Sequence, residues 1–348
     1  MKTRLLRLRG LLESIDIDAL VVSKIENVRY LSGFSGSSAV AVVTPDSSTL
    51  ITDGRYREQA AAESPHWETV IHAGELSEAV ADALTGAKAA GFEVSASFDF
   101  HRKLAGAVTH GTALEPTEQL VEGLRCFKDE SEIESIRAAT ECARAAFAQV
   151  LPLVKQGTPE RQLAAELDYR MMLAGAESPA FDTVVASGPN SSLPHAGVTD
   201  RVLAAGDLVV MDFGACRNGY NADITRTVPV GEPDTRARRA LEAVKGASRA
   251  AIEALEPGCP ASEIYQVAHR HLEERGLSEY FTHGLGHGVG LEVHEKPAIS
   301  ARSNDTLDPG MVFTIEPGVY IAGWGGVRFE EMVLMTGAGA EVLTADMD

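Results

Sequence analysis

Basic charge, cysteine and long apolar runs are all scarce in this chain, and each scarcity removes a class of function. Lysine and arginine number 31 against 50 aspartates and glutamates, a formal net charge of −19. Nucleic-acid binders need a basic footprint for phosphate, so nucleic acid is not expected as a partner. No apolar run reaches the roughly 20 residues that cross a bilayer, and charge interrupts the leucine-bearing start, Met1 to Gly10, before a leader core forms. Neither a membrane span nor a secretory leader is therefore expected. Cys126, Cys142, Cys216 and Cys259 lack Cys-x-x-Cys spacing, which suits reduced thiols in a cytoplasmic protein. No phosphate loop or dinucleotide fingerprint occurs. Most of the excess acid reads as a solvated surface. A handful of acids sit inside apolar strands, where solubility does not explain them.

What is present is an ordinary globular composition, 45% apolar and 23% charged, over 348 residues. That length suits two domains. Leu5, Leu8, Leu11 and Leu12 recur at helical spacing. Asp18–Val22, Ala39–Val43 and Ser48–Thr52 read as strands, and Arg55–Glu63 as helix, an alternation that argues for an α/β layer. From Asp129 to Val154 the stripe Ile133, Ile136, Ala139, Ala143 predicts one long helix. The boundary falls between Leu120 and Lys128, giving an α/β domain at 1–124 and a second domain at 125–348.

The second domain carries an internal repeat. Gly157-Thr158-Pro159-Glu160-Arg161-Gln162-Leu163 matches Gly258-Cys259-Pro260-Ala261-Ser262-Glu263-Ile264, each opening a helix with proline in its first turn. Gly175 and Gly276 then close the two helices. Gly206–Gly214 and Gly310–Gly318 are the matching strands, and in that match Asp212 falls on Glu316. Two helix-plus-hairpin halves about a pseudo-twofold axis follow.

Asp212 lies in the strand Val209–Phe213, and Asp223 lies in Tyr220–Val230 beyond the Arg217-Asn218-Gly219 turn. Centred between Arg217 and Asn218, the two acids become cross-strand neighbours, with Cβ atoms ~4.5–5.5 Å apart. Glu316 and Glu330 are likewise centred on Gly323, and alternation puts Arg328 on the face of Glu330. Four carboxylates in one apolar region need cations, since an unpaired buried charge costs several kcal/mol. One arginine cannot neutralise four acids, so bound metal is the economical answer. The glycine-rich stretch His283–Glu295 adds His283, His287 and His294, and its bend lets His287 and His294 both face the centre. Oxygen ligands with imidazole suit manganese, cobalt, iron or zinc. Several shared carboxylate oxygens favour two ions ~3.5–4 Å apart, which would acidify a bridging water.

At these residues the chain resembles the pita-bread metallopeptidases, in particular the aminopeptidase P and prolidase branch. The resemblance rests on Met211–Gly214, Tyr220–Thr227, His283–Glu295, Thr314–Gly318 and Gly326–Glu331, five motifs in order. It implies an α+β fold: a pita-bread domain with a pseudo-twofold duplication, preceded by a smaller creatinase-N-like α/β domain. It implies a metal set of Asp212 on one ion, His287 and Glu316 on the other, and Asp223 and Glu330 bridging. Two divalent ions per subunit are expected, manganese first, with cobalt, zinc or iron as alternatives. The resemblance also gives His195 and His294 catalytic and substrate-binding roles at the scissile carbonyl. Glu316 becomes the base, Arg328 the partner orienting a bridging carboxylate, and His283 a further substrate-side group.

The family's speciality is the bond before proline, a tertiary amide without an N–H. The expected activity is an Xaa-Pro aminopeptidase using a metal-bridged hydroxide on peptides with proline at position 2. The alternative is an Xaa-Pro dipeptidase. Some prolidases follow the pattern His294-Glu295-Lys296-Pro297 with arginine where Ala298 stands here, which favours the aminopeptidase. Metal-free creatinase and non-catalytic relatives lack the ligand set that this chain has, and methionine aminopeptidase usually lacks the N-terminal domain. A cytoplasmic homodimer is expected, with the N-terminal domain closing a neighbour's site.

Overall fold

Apolar runs rich in Val dictate the two central strands of the first sheet in the computed structural model, which describes residues 2–108 and 111–347. Ala19–Val22 and Ala39–Val43 are buried at every position, hence their continuous rather than alternating apolar pattern. They lie centrally in a six-stranded sheet. Its order is Glu68–Ile71, Ser48–Thr52, Ala39–Val43, Ala19–Val22, Ala89–Glu93, Ala113–Thr117. The two central pairings are antiparallel and the other three are parallel, with helices in the connections between parallel strands. This α/β layer forms one unit, Met1–Arg125, and Cys126–Asp348 forms another. All four cysteines are free, and no described helix is long and apolar enough to cross a membrane.

The second unit opens on the helix Glu130–Val150 behind a capping box, in which Asp129 and Glu132 satisfy each other's backbone N–H. The α-helix stops at Val150, short of the expected Val154. Pro152 has no N–H to donate, and Leu151–Leu153 tightens into a 3-10 turn. The repeat then appears as structure. Pro159 and Pro260 are N-caps with extended backbone, one position ahead of the predicted first turn, before the helices Glu160–Leu173 and Ala261–Glu273. Glu160 N–H donates to the Arg201 carbonyl, just as Ala261 N–H donates to Asp305. Gly175 and Gly276 close the two helices at φ 103° and 67°.

Each half packs its helices on its own hairpin. Val209, Met211 and Phe213 join Leu163, Leu167 and Met171 in one core, so alternation turns Asp212 to the opposite face. Phe313 and Ile315 join Ile264, Ala268 and Leu272 in the other half's core, turning Thr314 away likewise.

The first hairpin differs from the expected register. Arg217 pairs with Tyr220 and Asp212 with Thr225, around a two-residue Asn218-Gly219 turn with φ 52° and 76°. Positive φ at both positions is the mirror-image turn that matches strand twist, and asparagine and glycine adopt it readily. The pairing centre therefore moves towards Gly219. Asp212 and Asp223 become diagonal neighbours on one face rather than directly opposed. Asp223 also falls in a break between Tyr220–Asn221 and Ile224–Pro229. In the second hairpin Gly318 pairs with Arg328 and Ile315 with Glu331, which sets Glu316 across from Glu330 as expected.

The first break depends on a close backbone approach at Gly214. A Cβ there would meet the Ala222 carbonyl oxygen at 1.9 Å and the Phe181 ring at 2.9 Å. Gly214→Ala is expected to destabilise the protein by ~1–3 kcal/mol or more. Gly10→Ala, where nothing lies within 4 Å, should instead gain about 0.5–1 kcal/mol as a helical alanine. Urea unfolding of both variants checks the pair, and a wild-type midpoint for Gly214→Ala would remove the close approach.

Candidate metal centre

The acids converge where the two hairpins break their pairing. Among the described residues, three overlapping groups have ligand atoms within 4.8 Å of one another: Asp212, Asp223 and Glu330; His287, Glu316 and Glu330; Asp223, His287 and His294. His287 Nε2 lies 3.6 Å from Asp223 Oδ2 and 3.4 Å from Glu316 Oε1. Its Nδ1 is 3.1 Å from the Gly288 carbonyl. A carbonyl only accepts, so Nδ1 carries the proton and the Nε2 lone pair faces the acids. Burial first, and then His294, pulls the His287 pKa down to about 4, leaving the neutral imidazole a metal ligand needs.

Electrostatics mark the same region. Burial holds the Asp223 carboxyl well above the ordinary range, and Glu330, Asp212 and Glu316 push it further up. Glu316 is raised by burial and then by Glu330. Glu330 is pushed up to about 8 by burial and Asp212, against the pull of Arg328 and a Thr225 hydrogen bond. Asp212 Oδ1 is buried without a hydrogen-bond partner. An orphaned carboxylate oxygen beside three mutually repelling carboxyls and a neutral imidazole fits divalent metal in an oxygen-rich site.

The site opens into a cavity of about 820 Å³ lined by all five of these residues. His195, His283, His294 and Arg328 line it too, so the structure brings every sequence-predicted site residue to one cavity. His294 is exposed, with its ring 4.2 Å from that of His287. His195 is exposed on the loop after Val184–Ser187. His283 is pulled down to about 4 by burial, and its Nδ1 lies 2.7 Å from the Gly284 carbonyl. That proton assignment leaves Nε2 to accept from Tyr320 O–H at 3.1 Å.

Arg328 departs from its expected partner. Its guanidinium pairs with Asp212 rather than with a carboxylate expected to bridge. Its Nε donates to Thr225 Oγ1 at 2.9 Å, and Thr225 O–H in turn donates to Glu330 Oε2 at 2.8 Å. Arg328 thus reaches Glu330 only through a hydroxyl. In the observed register Thr225 stands opposite Asp212, so these two partners of Arg328 lie side by side on the first hairpin.

Sequence reasoning passed over three polar partners. Thr225 stands two residues beyond Asp223, Thr314 two before Glu316, and Tyr320 four after it. Thr314 Oγ1 accepts the His287 N–H at 3.1 Å, and Tyr320 accepts from Arg328 at 3.1 Å. Strand alternation puts each on its acid's face, and that was the available signal.

Duplicated helix-and-hairpin halves closing on a carboxylate-rich cavity define a metal-dependent hydrolase of the pita-bread class. Comparison with known proteins then gives the family. The chain belongs to metallopeptidase family M24, whose model matches residues 134–337, and residues 4–127 match the Creatinase/Prolidase N-terminal domain. An Xaa-Pro dipeptidase of Pyrococcus horikoshii is 38% identical over 97% of this chain and 96% of its own length. The solved Xaa-Pro dipeptidase from Bacillus anthracis has a TM-score of 0.96 at 36% identity, covering 99% of this chain and 98% of that one. An X-Pro aminopeptidase from Thermotoga maritima has a TM-score of 0.89 at 37% identity, covering 98% and 97%. The chain is therefore an enzyme, a peptidase that uses divalent metal. Dipeptidases outnumber aminopeptidases among these relatives, which favours the dipeptidase alternative over the aminopeptidase expectation.

Glu330 also gives the site a pH signature. An acid with a folded pKa of about 8 against an ordinary 4.5 binds more protons folded than unfolded between those values. Its stabilising contribution is complete below about 4.5 and is lost as pH rises towards 8. Protein stripped by a chelator should therefore unfold at progressively lower urea concentration across that window, and added Mn²⁺ should flatten the trend. A stripped protein that gains stability from pH 5 to 8 would contradict it. Separately, Thr225→Val removes the hydroxyl between Arg328 and Glu330. Mn²⁺ affinity measured by calorimetry is expected to fall about 10–100-fold, and wild-type affinity would exclude Thr225 from the site.

Proposed function

We propose that this chain is a metal-dependent Xaa-Pro dipeptidase, hydrolysing the amide before proline in a dipeptide. The observation that carries it is the convergence of Asp212, Asp223, His287, Glu316 and Glu330 in one cavity, in a chain whose full-length relatives include Xaa-Pro dipeptidases. Asp212 would hold one ion, His287 and Glu316 the other, and Asp223 and Glu330 both. When bound, the ions, manganese first among the candidates, would supply a water acidified towards neutral pH and charge to polarise a carbonyl.

The chain's own residues do the rest. The amide before proline has no N–H to grip, so recognition must come from the carbonyl, the ring and the termini. His195 and His294 reach the cavity from different segments and would hydrogen-bond the scissile carbonyl oxygen as charge develops there. Glu316, raised by burial and Glu330, suits a group that takes up a proton and passes it to the leaving proline nitrogen. Arg328, bound to Asp212 and the Pro194 carbonyl, would fix that carboxylate in place. His283, accepting from Tyr320, would form part of the substrate-side wall. The homodimer and the cytoplasmic setting rest on the resemblance and the free thiols, and light scattering tests the former.

One observation favours aminopeptidase P as a second reading. Selecting a dipeptide calls for a cation at its C-terminal carboxylate. Among the described residues lining the cavity, Arg328 is the sole lysine or arginine, and it is paired with Asp212; Ala298 lines the wall elsewhere. The assay that separates the readings compares Ala-Pro, Ala-Pro-Ala and Ala-Ala-Ala with Mn²⁺ added. Cleavage of Ala-Pro is expected. Cleavage of Ala-Pro-Ala alone would make the enzyme an aminopeptidase, and cleavage of Ala-Ala-Ala alone would end the proline reading. Asp223→Ala should lose bound metal and activity together.

A further inference from the structure

His195 is exposed on the irregular stretch that follows the 3-10 turn Gly188–Ser192, yet a group that meets a scissile carbonyl must be held within a fraction of an ångström. Beneath the loop, Glu160, fully buried at the start of the helix Glu160–Leu173, points its carboxylate at both loop ends. Oε1 accepts from Ser187 N–H at 2.7 Å and from Ser187 O–H at 2.6 Å. Oε2 accepts from Thr199 N–H at 3.2 Å and from the Thr199 hydroxyl. Asn190 Nδ2 lies 3.3 Å and 3.4 Å from the two oxygens. One carboxylate thus closes a loop running from Ser187 to Thr199, with His195 inside it.

The loop's inner side is tied to the catalytic hairpin. Ser191 Oγ accepts the Gly326 N–H at 2.8 Å, and the Pro194 carbonyl accepts from Arg328 at 3.1 Å. The duplication supplies an internal comparison. Ala261 takes Glu160's place in the other half, and its backbone makes the equivalent bond to Asp305. The fold therefore does not need a carboxylate at this position. It stands only in the half that carries the His195 loop.

We infer that Glu160 is a positioning residue for His195: its charge closes the loop and sets the imidazole at the substrate carbonyl. The inference rests on the catalytic role proposed for His195. Every partner of Glu160 is a donor, so an amide, with one acceptor oxygen and one NH₂, satisfies one loop end and opposes the other. Glu160→Gln keeps the shape of the side chain and unpins the loop at one end, while all five proposed metal ligands stay untouched.

The test measures kcat and KM on Ala-Pro and Ala-Pro-Ala with Mn²⁺, and bound manganese, for Glu160→Gln, His195→Ala and the double variant. Glu160→Gln is expected to lower kcat roughly 10–100-fold, as small misplacements of a catalytic group do, with manganese content and KM near wild type. In the His195→Ala background it should add less than about twofold, because residues acting through one group are not additive. Wild-type turnover in Glu160→Gln, or a full multiplicative loss in the double variant, would overturn the inference. His195→Ala at wild-type turnover would instead remove the catalytic role beneath it, a separate result. If Glu160→Gln does not fold, Thr199→Val deletes the hydroxyl donor from the opposite side. It should lower kcat while Thr199→Ser restores it, and wild-type kinetics in Thr199→Val would likewise overturn the inference.

Discussion

Asp223, Glu316 and Glu330 share one buried region with Asp212 at its edge, and the repulsion among these carboxyls is the constraint that the second domain is built to bear. Burial raises the first three, Asp212 pushes each of them further up, and Glu330 adds to the rise of both Asp223 and Glu316. Left unpaired, such a group costs several kcal/mol per charge. The fold meets the cost with stiffness. Asp223, Glu316 and Glu330 each sit where a hairpin stops pairing, and Asp212 is paired with Thr225 beside the first break. Each hairpin is clamped by its own helix pair through its own apolar core. Alternation then leaves the acids no escape towards solvent, because turning one outward would turn a Val or Phe out of the core. Cations resolve the repulsion, and the orphaned Asp212 Oδ1 shows one place where protein atoms do not.

The order of the fold was legible wherever a pattern is local. Ala39–Val43 and Ser48–Thr52 are strands over the residues their apolar runs suggested, because burial on both faces leaves an unbroken signature. The facing of Glu316 and Glu330 was legible because the turn around Gly323 is symmetric and the register follows from it. For Asp212 and Asp223 the shared face was legible and the pairing was not. The register there depends on φ at Asn218, and a three-residue Arg-Asn-Gly turn leaves two centres open. Because the error was two residues, side-chain alternation preserved the face.

The convergence of the two halves on one site was legible, but the individual hydrogen bonds and ion pairs between them were not. Arg328 and Asp212 stand far apart in sequence on different hairpins, so their pairing follows from how two sheets meet and not from either strand's pattern. The same holds for Thr225, whose hydroxyl joins Arg328 to Glu330. Glu160 was visible as a member of a repeat, but its purpose lay in five donor groups on three residues of a loop, Ser187, Asn190 and Thr199. A buried carboxylate satisfied entirely by hydrogen bonds leaves no periodic trace, since nothing about it repeats.

The duplication therefore explains the scaffold, and its breaches locate the chemistry. Both halves keep the positive-φ glycine, the proline N-cap, the helix and a strand with an acid at or just past its end, because these carry the frame that holds like charges together. They differ where a task is done once. Glu160 replaces Ala261 beneath the His195 loop, and a glycine-rich strand with a bulge at His287 serves only the other half. Symmetry suffices to gather carboxylates about an axis, but a scissile amide has no symmetry. Its carbonyl, its proline ring and its two termini must each meet a different wall, so the residues that break the repeat are where this chain's specificity is written.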